Sequence, residues 1–273
     1  ENLGFIRTCN YGASLARGEL LLFLNNDTEV SPNWLDSIIS IFDSRDDAGV
    51  VGSKLVYPNG RLQEAGGILW SDGSAWNFGH SQDPDSPAFN YVKEVDYCSG
   101  ASFAMPSTLF KELGGFDENL FAHMEEIDYH WKCQLMGHEV WVEPISVIYH
   151  KGARTLPVSS PKKTYLNYRN SLILLLTNYP ASISLRMFFP RFVMECISFV
   201  KEIITFKWGH AFSIIKSWVW IIGHLGVLKK RRESLKDNNI TIPELIYQQS
   251  IVKKYFIDRK KVHSSLGPFN ENN

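Results

Sequence analysis

The feature that most constrains the fold of this chain is an apolar run that ends abruptly in polar residues. Residues 20–24 are Leu-Leu-Leu-Phe-Leu, and Asn25, Asn26 and Asp27 follow directly. An apolar run of this length, bounded by turn-forming residues, is typical of a strand buried on both faces, as in parallel sheets. Ligands of open α/β sheets bind at the carboxyl ends of the strands. Asn25, Asn26 and Asp27 therefore stand where a ligand would be held.

The residues after this strand predict a helix and a second strand. Ser31 is favourable as an N-cap and Pro32 as a first helical residue. Apolar residues then recur at the spacing of one helix face: Leu35, Ile38, Ile39 and Phe42. Residues 49–55 are predicted as the next strand. Strand, helix and strand in this order are the unit of a parallel sheet, which places the chain in the α/β class.

A glycine- and proline-rich stretch follows, and we expect residues 61–95 to be irregular and functional. Residues 95–105 then resemble a strand that is broken at Gly100. A glycine at that point indicates either the close approach of a ligand or a β-bulge, and the pattern does not decide between them. Beyond it the sequence predicts helices over residues 107–113 and 124–137, then two short strands that end at His150.

The net charge of −1 conceals two halves of opposite sign. Residues 1–150 contain 8 Lys and Arg against 22 Asp and Glu, a balance of −14, whereas residues 151–273 contain 20 against 7, a balance of +13. The acidic half suits a metal-assisted site, and the basic half suits an anionic surface such as nucleic acid or a membrane. The four cysteines contain no CxxC pair, so they indicate neither a zinc site nor a disulfide framework.

Asp27 is the first candidate functional residue, and two interpretations of it stay open. Hard cations such as Mg²⁺ and Mn²⁺ prefer oxygen ligands, and a nucleotide diphosphate can supply part of the coordination shell. One protein carboxylate is then enough to hold the metal on the diphosphate. Alternatively, Asp27 caps the turn that leads into the next helix.

Three carboxylates in four residues form the second candidate. Glu125, Glu126 and Asp128 lie in the first turn of a predicted helix, where negative charge complements the helix dipole and is usually solvated. Carboxylates packed together also raise one another's pKa, which is how a general base is tuned. His150 ends an apolar strand; a lone histidine there is more often structural, and it gains interest only if that strand end meets Asp27.

Taken together, these motifs resemble family 2 glycosyltransferases of the GT-A fold, in particular their rhamnosyltransferase-like branch. The resemblance covers residues 1 to about 180, and its specificity rests on the shared order of short motifs. These motifs are ENLGF at the start, LFLNNDTEV over residues 22–30, YPNGRLQEAGG over residues 57–67, SGASFAM over residues 99–105, GGFDENLFAHMEEIDYHWK over residues 114–132, and His150 followed by KKTYLNYRN.

The resemblance implies a role for each candidate residue. Asp27 would contact Mg²⁺ or Mn²⁺ on the donor diphosphate, with His150 as a second metal contact. Glu126 would be the catalytic base, although aspartate is commoner at this position, and Glu125 and Asp128 would be supporting carboxylates. The residues implied in donor or acceptor binding are Asn25, Asn26, Gly100, Ala101 and Arg169.

The implied reaction is transfer of a sugar from a nucleotide-diphosphate donor to a hydroxyl of a glycan or lipid-linked acceptor, in bacterial surface polysaccharide synthesis. We expect an inverting displacement, with a retaining or non-rhamnose transferase as the runner-up. A catalytically inactive scaffold that binds glycan or membrane is the alternative from another class. The family's first strand and helix, which hold the nucleotide base, have no counterpart here. We therefore expect an amino-terminally truncated GT-A domain, weakly active or inactive alone.

The second half predicts amphipathic helices over residues 181–236 and a polar tail over residues 237–273, after a catalytic domain over residues 1–180. The apolar stretches within these helices, over residues 183–206 and 211–228, do not reach the roughly 20 uncharged residues of a membrane-spanning helix. Aromatic faces followed by the basic residues 229–232 suit the interface of an anionic membrane. We expect peripheral attachment to the inner, cytoplasmic face of the cell membrane; packing of these helices on the protein itself is the alternative. Nucleic acid is not an expected partner, because the basic residues lack interleaved aromatic residues.

Overall fold

The protein folds into two compact units. The structure, a computed structural model, describes residues 3–70, 73–151 and 160–236. One unit comprises Glu1–Leu69 with Ala75–Gly152, and the other comprises Trp70–Ser74 with Ala153–Asn273. The predicted polar tail, residues 237–273, lies outside the described residues.

The first unit contains four helices and nine strands among its described residues. The helices are α1 (Phe5–Leu15), α2 (Trp34–Ser44), α3 (Ser107–Glu112) and α4 (Glu125–Leu135). The strands are β1 (Leu20–Leu24), β2 (Thr28–Val30), β3 (Ala48–Val56), β4 (Leu62–Glu64), β5 (Gly67–Leu69), β6 (Ala75–Asn77), β7 (Lys93–Glu94), β8 (Ser102–Pro106) and β9 (Glu139–His150).

Seven of these strands form one mixed sheet. Its main path is β1-β8-β3-β9-β2, with β4 paired to β3 and β7 paired to β9, while β5 and β6 form a separate hairpin-like pair. The two longest strands, β3 and β9, run parallel, and the other pairs in the sheet are antiparallel. This mixed sheet, flanked by helices, confirms the predicted α/β class.

The prediction that β1 is buried on both faces within a parallel sheet is wrong. Among the described residues β1 pairs only with β8, in antiparallel register, and Leu21 is its one fully buried residue. Strand β8 lies between β1 and β3, so these two strands run in the same direction without touching. Phe23 still anchors β1, because its ring stacks on Phe103 of β8 at a centroid distance of 5.4 Å.

Residues 61–95, which the sequence presented as irregular, contain the short strands β4, β5, β6 and β7. Strands of two or three residues are too short to show an alternating pattern, which is why the sequence did not reveal them. The two strands predicted before His150 are one, β9. It is interrupted in register, since Ser53 pairs with Glu143 and the next residue, Lys54, pairs with Val147.

Helix α2 covers the sheet through a compact apolar cluster. Ile38 and Ile41 of α2 pack against Val51 of β3, Ala104 of β8 and Trp141 of β9. The central strand β3 is buried along its whole length. Because β3 lies between β8 and β9, the chain segments on both sides of it are held in fixed register.

The second unit is helical: α5 (Pro161–Thr177), α6 (Ala181–Ile204), α7 (Trp208–Gly223) and α8 (Leu225–Lys236). Helix α7 packs closely on α5, since the hydroxyls of Ser213 and Ser217 donate to backbone carbonyls of Pro161 and Tyr165. These contacts place α5 with the other helices of the second unit, while the division into a catalytic domain over residues 1–180 and helices over residues 181–236 stays a prediction.

None of the helices in the described ranges is by itself long and apolar enough to cross a membrane. Trp208–Gly223 and Leu225–Leu235 meet the length and composition requirement only as a pair, and that pair is bent by 70°.

Gly52→Ala should destabilise the first unit by about 1–3 kcal/mol. A Cβ on Gly52 would overlap the Cβ of Cys98 and come within 2.6 Å of its Sγ, so buried backbone would have to shift. Gly12→Ala is the matched control, because Gly12 lies in α1 with no atom within 4 Å of the added Cβ. We expect it to stabilise by about 0.5–1 kcal/mol. Hydrogen exchange of β3 amides measures both changes, and equal protection in the two variants would contradict the packing of β3.

Candidate active site

The polar turn after β1 is fixed by its own backbone. The Asn25 N–H donates to the carbonyl of Ala101 (2.9 Å), and the Thr28 hydroxyl donates to the carbonyl of Asn25 (2.5 Å). The chain then enters β2, in which Thr28 pairs with His150 at the end of β9. The turn therefore delivers Asp27 to the carboxyl end of β9.

Asp27 and His150 meet at this point. The Asp27 Oδ1 lies 3.2 Å from the His150 Nε2, and both side chains are about nine-tenths buried. The other ring nitrogen of His150, Nδ1, lies 3.1 Å from the side-chain amide nitrogen of Gln63 on β4. The condition that made His150 interesting in the sequence, a strand end that reaches Asp27, is met.

The surroundings of His150 favour its neutral form. Burial lowers the pKa of His150, and the neighbouring Asp27 carboxylate acts in the opposite direction without cancelling that effect. The ring is therefore neutral at neutral pH and carries one N–H. Two tautomers fit the contacts: a proton on Nε2 can be donated to Asp27, whereas a proton on Nδ1 can be donated to the Gln63 Oε1 (3.2 Å) and leaves Nε2 free to bind a cation.

The spacing of these two side chains fits a divalent cation. The Asp27 carboxylate and a neutral His150 imidazole are both groups that can bind a divalent cation, and they lie 3.2 Å apart. Within the described ranges no group of three or more His, Cys, Asp or Glu side chains could hold a metal ion. Asp27 and His150 could thus supply part of a Mg²⁺ or Mn²⁺ shell, and oxygen atoms of a ligand would have to supply the remainder.

The acidic turn at the start of α4 is strained and buried. Phe121, His123 and Met124 have φ of 66°, 68° and 68°, and they are three of the six non-glycine residues with positive φ in the described ranges. Such strain persists where the surrounding structure enforces it, often at functional sites. Glu125 and Asp128 are buried, so the alternative of a solvated first turn does not hold.

The three carboxylates of α4 have different neighbours. Asp128 forms an ion pair with Lys132 (2.7 Å), and the charge of Glu125 acts on Cys9 of α1. Glu126 lies against Gly100, where a Cβ would stand 3.5 Å from its carboxyl carbon. A side chain at residue 100 would occupy the space in front of Glu126.

Burial sets the basicity of these carboxyls. It raises the pKa of Glu126, while backbone N–H groups at the start of the helix act against the rise. Burial also raises the pKa of Glu125 well above its ordinary value, and the charge of Glu126 raises it further. Both carboxyls are therefore stronger bases than an exposed glutamate.

Gly100 and Ala101 connect the two parts of the site. The carbonyl of Ala101 holds the Asn25 turn, and its side chain is buried against Leu55 and Ile148. Gly100, the preceding residue, faces Glu126. Two adjacent residues thus lie between the Asp27–His150 pair and the carboxylates of α4.

Arg169 lies in the second unit. Its Nε donates to the side chain of Asn170 (2.9 Å), and its guanidinium is near the rings of Tyr165 (5.3 Å) and Trp220 (5.0 Å). A role for Arg169 in binding donor or acceptor stays a prediction, as do the roles of Asn25, Asn26, Gly100 and Ala101.

Sequence reasoning missed Gln63 and Glu64. Both lie on β4, where Gln63 contacts His150 and Glu64 is a buried carboxyl within electrostatic reach of Glu126. The signal was present in the motif over residues 57–67, which matched the family pattern without suggesting a role for either residue.

Comparison with known proteins shows what the first part of the chain is similar to. Residues 1–113 match the family described as Glycosyl transferase family 2. This match covers less than half of the chain. The matched family 2 segment includes Asp27, Glu64 and Gly100, and it ends before Glu126 and His150.

Two curated relatives illustrate the breadth of this similarity. The O-antigen biosynthesis protein RfbC of Myxococcus xanthus is 32% identical over 166 residues, which cover 57% of this chain and 13% of RfbC. The N-acetylglucosaminyl-diphospho-decaprenol L-rhamnosyltransferase of Mycobacterium tuberculosis H37Rv is 24% identical over 151 residues, covering 50% of this chain and 48% of that enzyme. The chain thus spans less than half the length of either relative.

Among solved structures, the chain is similar to GalNAc-T7, crystallised with UDP, GalNAc and Mn²⁺. The TM-score is 0.43 at 19% sequence identity, over 60% of this chain and 35% of that one.

The Asp27–His150 contact is testable by histidine titration. Asp27→Asn should lower the pKa of His150 further, because the carboxylate that favours the imidazolium form is removed while burial remains. Two-dimensional NMR of the imidazole carbons measures this pKa in the metal-free protein. Glu29→Gln, an exposed change on β2, is the control that should leave it unchanged. A pKa of His150 that stays constant or rises in Asp27→Asn would contradict the contact.

Proposed function

We propose that this chain transfers a sugar from a nucleotide-diphosphate donor to a hydroxyl of a glycan or lipid-linked acceptor, with Mg²⁺ or Mn²⁺ as cofactor. The observation that carries the proposal is the hydrogen bond between Asn25 and Ala101, because it fixes the Asp27 turn beside the Gly100 backbone that faces Glu126. Such a transfer needs side chains that bind the metal ion and a carboxylate that acts as the base.

Asp27 and His150 form the donor side in this proposal. Their spacing suits two ligands of one divalent ion, and the bound ion would stabilise charge on the leaving diphosphate. Asn25 and Asn26 flank Asp27 and would contact the donor. The family 2 segment supports this assignment, since it contains the whole Asn25–Asp27 turn.

Glu126 is the base in this proposal, and the displacement is inverting. The acceptor hydroxyl attacks the anomeric carbon, its proton moves to the carboxylate of Glu126, and the diphosphate leaves with the bonding electron pair. The position of Glu126 beside Gly100 favours it over Asp128, whose carboxylate is engaged by Lys132. Glu125 and Asp128 then serve as supporting carboxylates.

The relatives favour a role in bacterial surface polysaccharide synthesis. One is an O-antigen biosynthesis protein and another is an L-rhamnosyltransferase that acts on a lipid-linked sugar. We therefore propose a hexosyl- or rhamnosyl-transferase. The rival reading is an inactive scaffold of the same fold that binds glycan or membrane, and variants of the site separate the two.

Glu126→Gln should lower kcat for sugar transfer by about 10²–10⁴-fold, because the amide cannot take the acceptor proton. Its dissociation constant for the nucleoside diphosphate should stay within about threefold. Asp27→Ala should instead lose Mn²⁺-dependent nucleotide binding. Release of nucleoside diphosphate from a panel of nucleotide sugars, with Mg²⁺ or Mn²⁺ present, measures turnover, and calorimetry measures binding.

Glu29→Gln, exposed two residues from Asp27, is the matched control and should behave as the wild type. A scaffold would show neither metal-dependent turnover nor Mn²⁺-dependent nucleotide binding that Asp27→Ala could reduce, and that result would reject the enzyme reading.

The second unit suits attachment to an anionic membrane, and we propose that it holds the protein on the inner face of the cell membrane. Helix α6 exposes apolar side chains at helical spacing along one face, each more than half exposed: Leu185, Phe189, Ile197, Val200 and Ile204. Helix α7 does the same with Phe212, Val219 and Ile222. Outward apolar stripes of this length would be costly in water alone, and a lipid surface would cover them.

The inner contacts of α6 and α7 explain why these side chains point outward. Phe188 and Phe192 pack edge-on against Trp218 of α7, at 5.6 and 5.3 Å. The Trp218 Nε1 donates to Glu195, whose carboxylate also pairs with Arg191 (2.6 Å). Polar side chains of α6 are therefore engaged at the contact with α7, whereas the apolar side chains named above stay exposed.

Phe189→Glu should reduce binding to vesicles by at least about tenfold, since burial of a phenyl ring contributes about 1.5–3 kcal/mol. Sedimentation with vesicles of phosphatidylcholine and phosphatidylglycerol measures binding, and pure phosphatidylcholine vesicles show the anionic share. Ser40→Glu adds the same charge to an exposed position on α2 and is the control. Undiminished binding of Phe189→Glu would exclude α6 as the attachment surface.

A further inference from the structure

Gln63 is the additional residue of a β-bulge between β4 and β3. Leu55 of β3 pairs with Glu64, and the next residue, Val56, pairs with Leu62, so two residues of β3 lie opposite three of β4. Leu62 and Glu64 are buried, whereas Gln63 between them is half-buried. Bulges often lie beside functional sites, where they redirect one side chain. The side chain at this bulge reaches the end of β9.

Both amide atoms of Gln63 lie within hydrogen-bond distance of the His150 Nδ1. The Gln63 Nε2 is 3.1 Å from it, and the Gln63 Oε1 is 3.2 Å from it. Gln63 can therefore donate to an unprotonated Nδ1 or accept from a protonated one. Because His150 is only 9% exposed, solvent offers Nδ1 little substitute for this partner.

The other ring nitrogen faces Asp27, which favours the tautomer that cannot bind a cation. A carboxylate only accepts, so the 3.2 Å contact between the Asp27 Oδ1 and the His150 Nε2 is a hydrogen bond only while Nε2 carries a proton. A ring nitrogen that carries a proton has no lone pair for a metal ion. To bind a cation beside Asp27, the ring must therefore hold its proton on Nδ1, where that proton needs an acceptor.

We propose that Gln63 is a positioning residue for the metal site: its Oε1 accepts the Nδ1 proton of His150 and so leaves the Nε2 lone pair to the cation. The inference rests on the proposed role of Asp27 and His150 in binding Mg²⁺ or Mn²⁺. In the metal-free protein the amide can rotate and donate to Nδ1 instead, since its two atoms are almost equally distant from Nδ1. When the ion binds, Nε2 gives its proton to solvent, Nδ1 takes one from solvent, and the ring keeps its charge.

Two variants of residue 63 test this role without a metal ion. The side chain of Gln63→Glu can only accept at Nδ1, whereas that of Gln63→Met has nearly the same size and offers no comparable acceptor. Nitrogen-15 NMR of the histidine rings in the full chain, at one mildly alkaline pH, shows which ring nitrogen carries a proton. The His150 signals are assigned by their absence in His150→Gln. Nδ1 should be protonated in Gln63→Glu and unprotonated in Gln63→Met.

Gln82→Met, the same change at an exposed glutamine, is the control and should give the wild-type spectrum of His150. If Nδ1 has the same protonation state in both variants of residue 63, the proposal is overturned.

Metal binding then tests the consequence for the site. At saturating Mg²⁺ the proton of His150 should lie on Nδ1 in the wild type. Gln63→Met should weaken the binding of Mn²⁺ alone, measured by electron paramagnetic resonance of the free ion, by about 10–100-fold, the usual effect of removing the outer partner of a metal-binding histidine. Gln63→Glu should restore the affinity.

A proton that stays on Nε2 at saturating Mg²⁺, or equal Mn²⁺ affinity in the wild type and Gln63→Met, rejects the positioning role. A wild-type chain that binds neither ion rejects the proposed cofactor instead. The metal-free spectra then still decide whether Gln63 determines the tautomer of His150.

Discussion

A single backbone hydrogen bond, from the Asn25 N–H to the carbonyl of Ala101, joins the two chemical halves of the candidate site. On one side it fixes the turn that carries Asp27 to His150; on the other it holds the backbone that lies against Glu126. The bond exists because β1 pairs with β8, whose first residue follows Ala101 directly. The sheet therefore supplies the registration: Asp27 lies on a turn at its edge, His150 at the end of β9 and Glu126 in the first turn of α4.

Strand pairing also positions His150, through the central strands β3 and β9. Their parallel pairing extends to the end of β3, where Val56 stands beside Tyr149, so His150 emerges at the carboxyl ends of two strands. Strand β2, which begins directly after Asp27, pairs with β9 so that Thr28 lies opposite His150. Asp27 and His150 are far apart in sequence, yet three paired strands fix their separation before any ligand contributes. Such pre-organisation lowers the cost of binding an ion.

The sequence revealed some of this site because the relevant signals are local, and missed the rest because it depends on pairing. Asp27, Glu126 and His150 follow apolar runs or open a helix, so their positions could be predicted. The antiparallel placement of β1 could not, since an apolar run looks the same beside a parallel or an antiparallel neighbour. Glu64 was invisible for a related reason. Its strand has three residues, and its burial depends on Asn77 and Tyr97, which other parts of the chain supply.

The basic end of the second unit shows that charge in a sequence is not the same as charge at a surface. Of the four basic residues 229–232, Lys229 and Lys230 are exposed, whereas Arg231 donates to Thr177 (2.9 Å) and Arg232 donates to the carbonyl of Leu176 (2.6 Å). These arginines satisfy groups at the carboxyl end of α5, where cations are favourable. Only half of the cluster is thus available to anionic lipid. Attachment of this unit to a membrane would then depend mainly on the apolar stripes of α6 and α7, and would be correspondingly tolerant of salt.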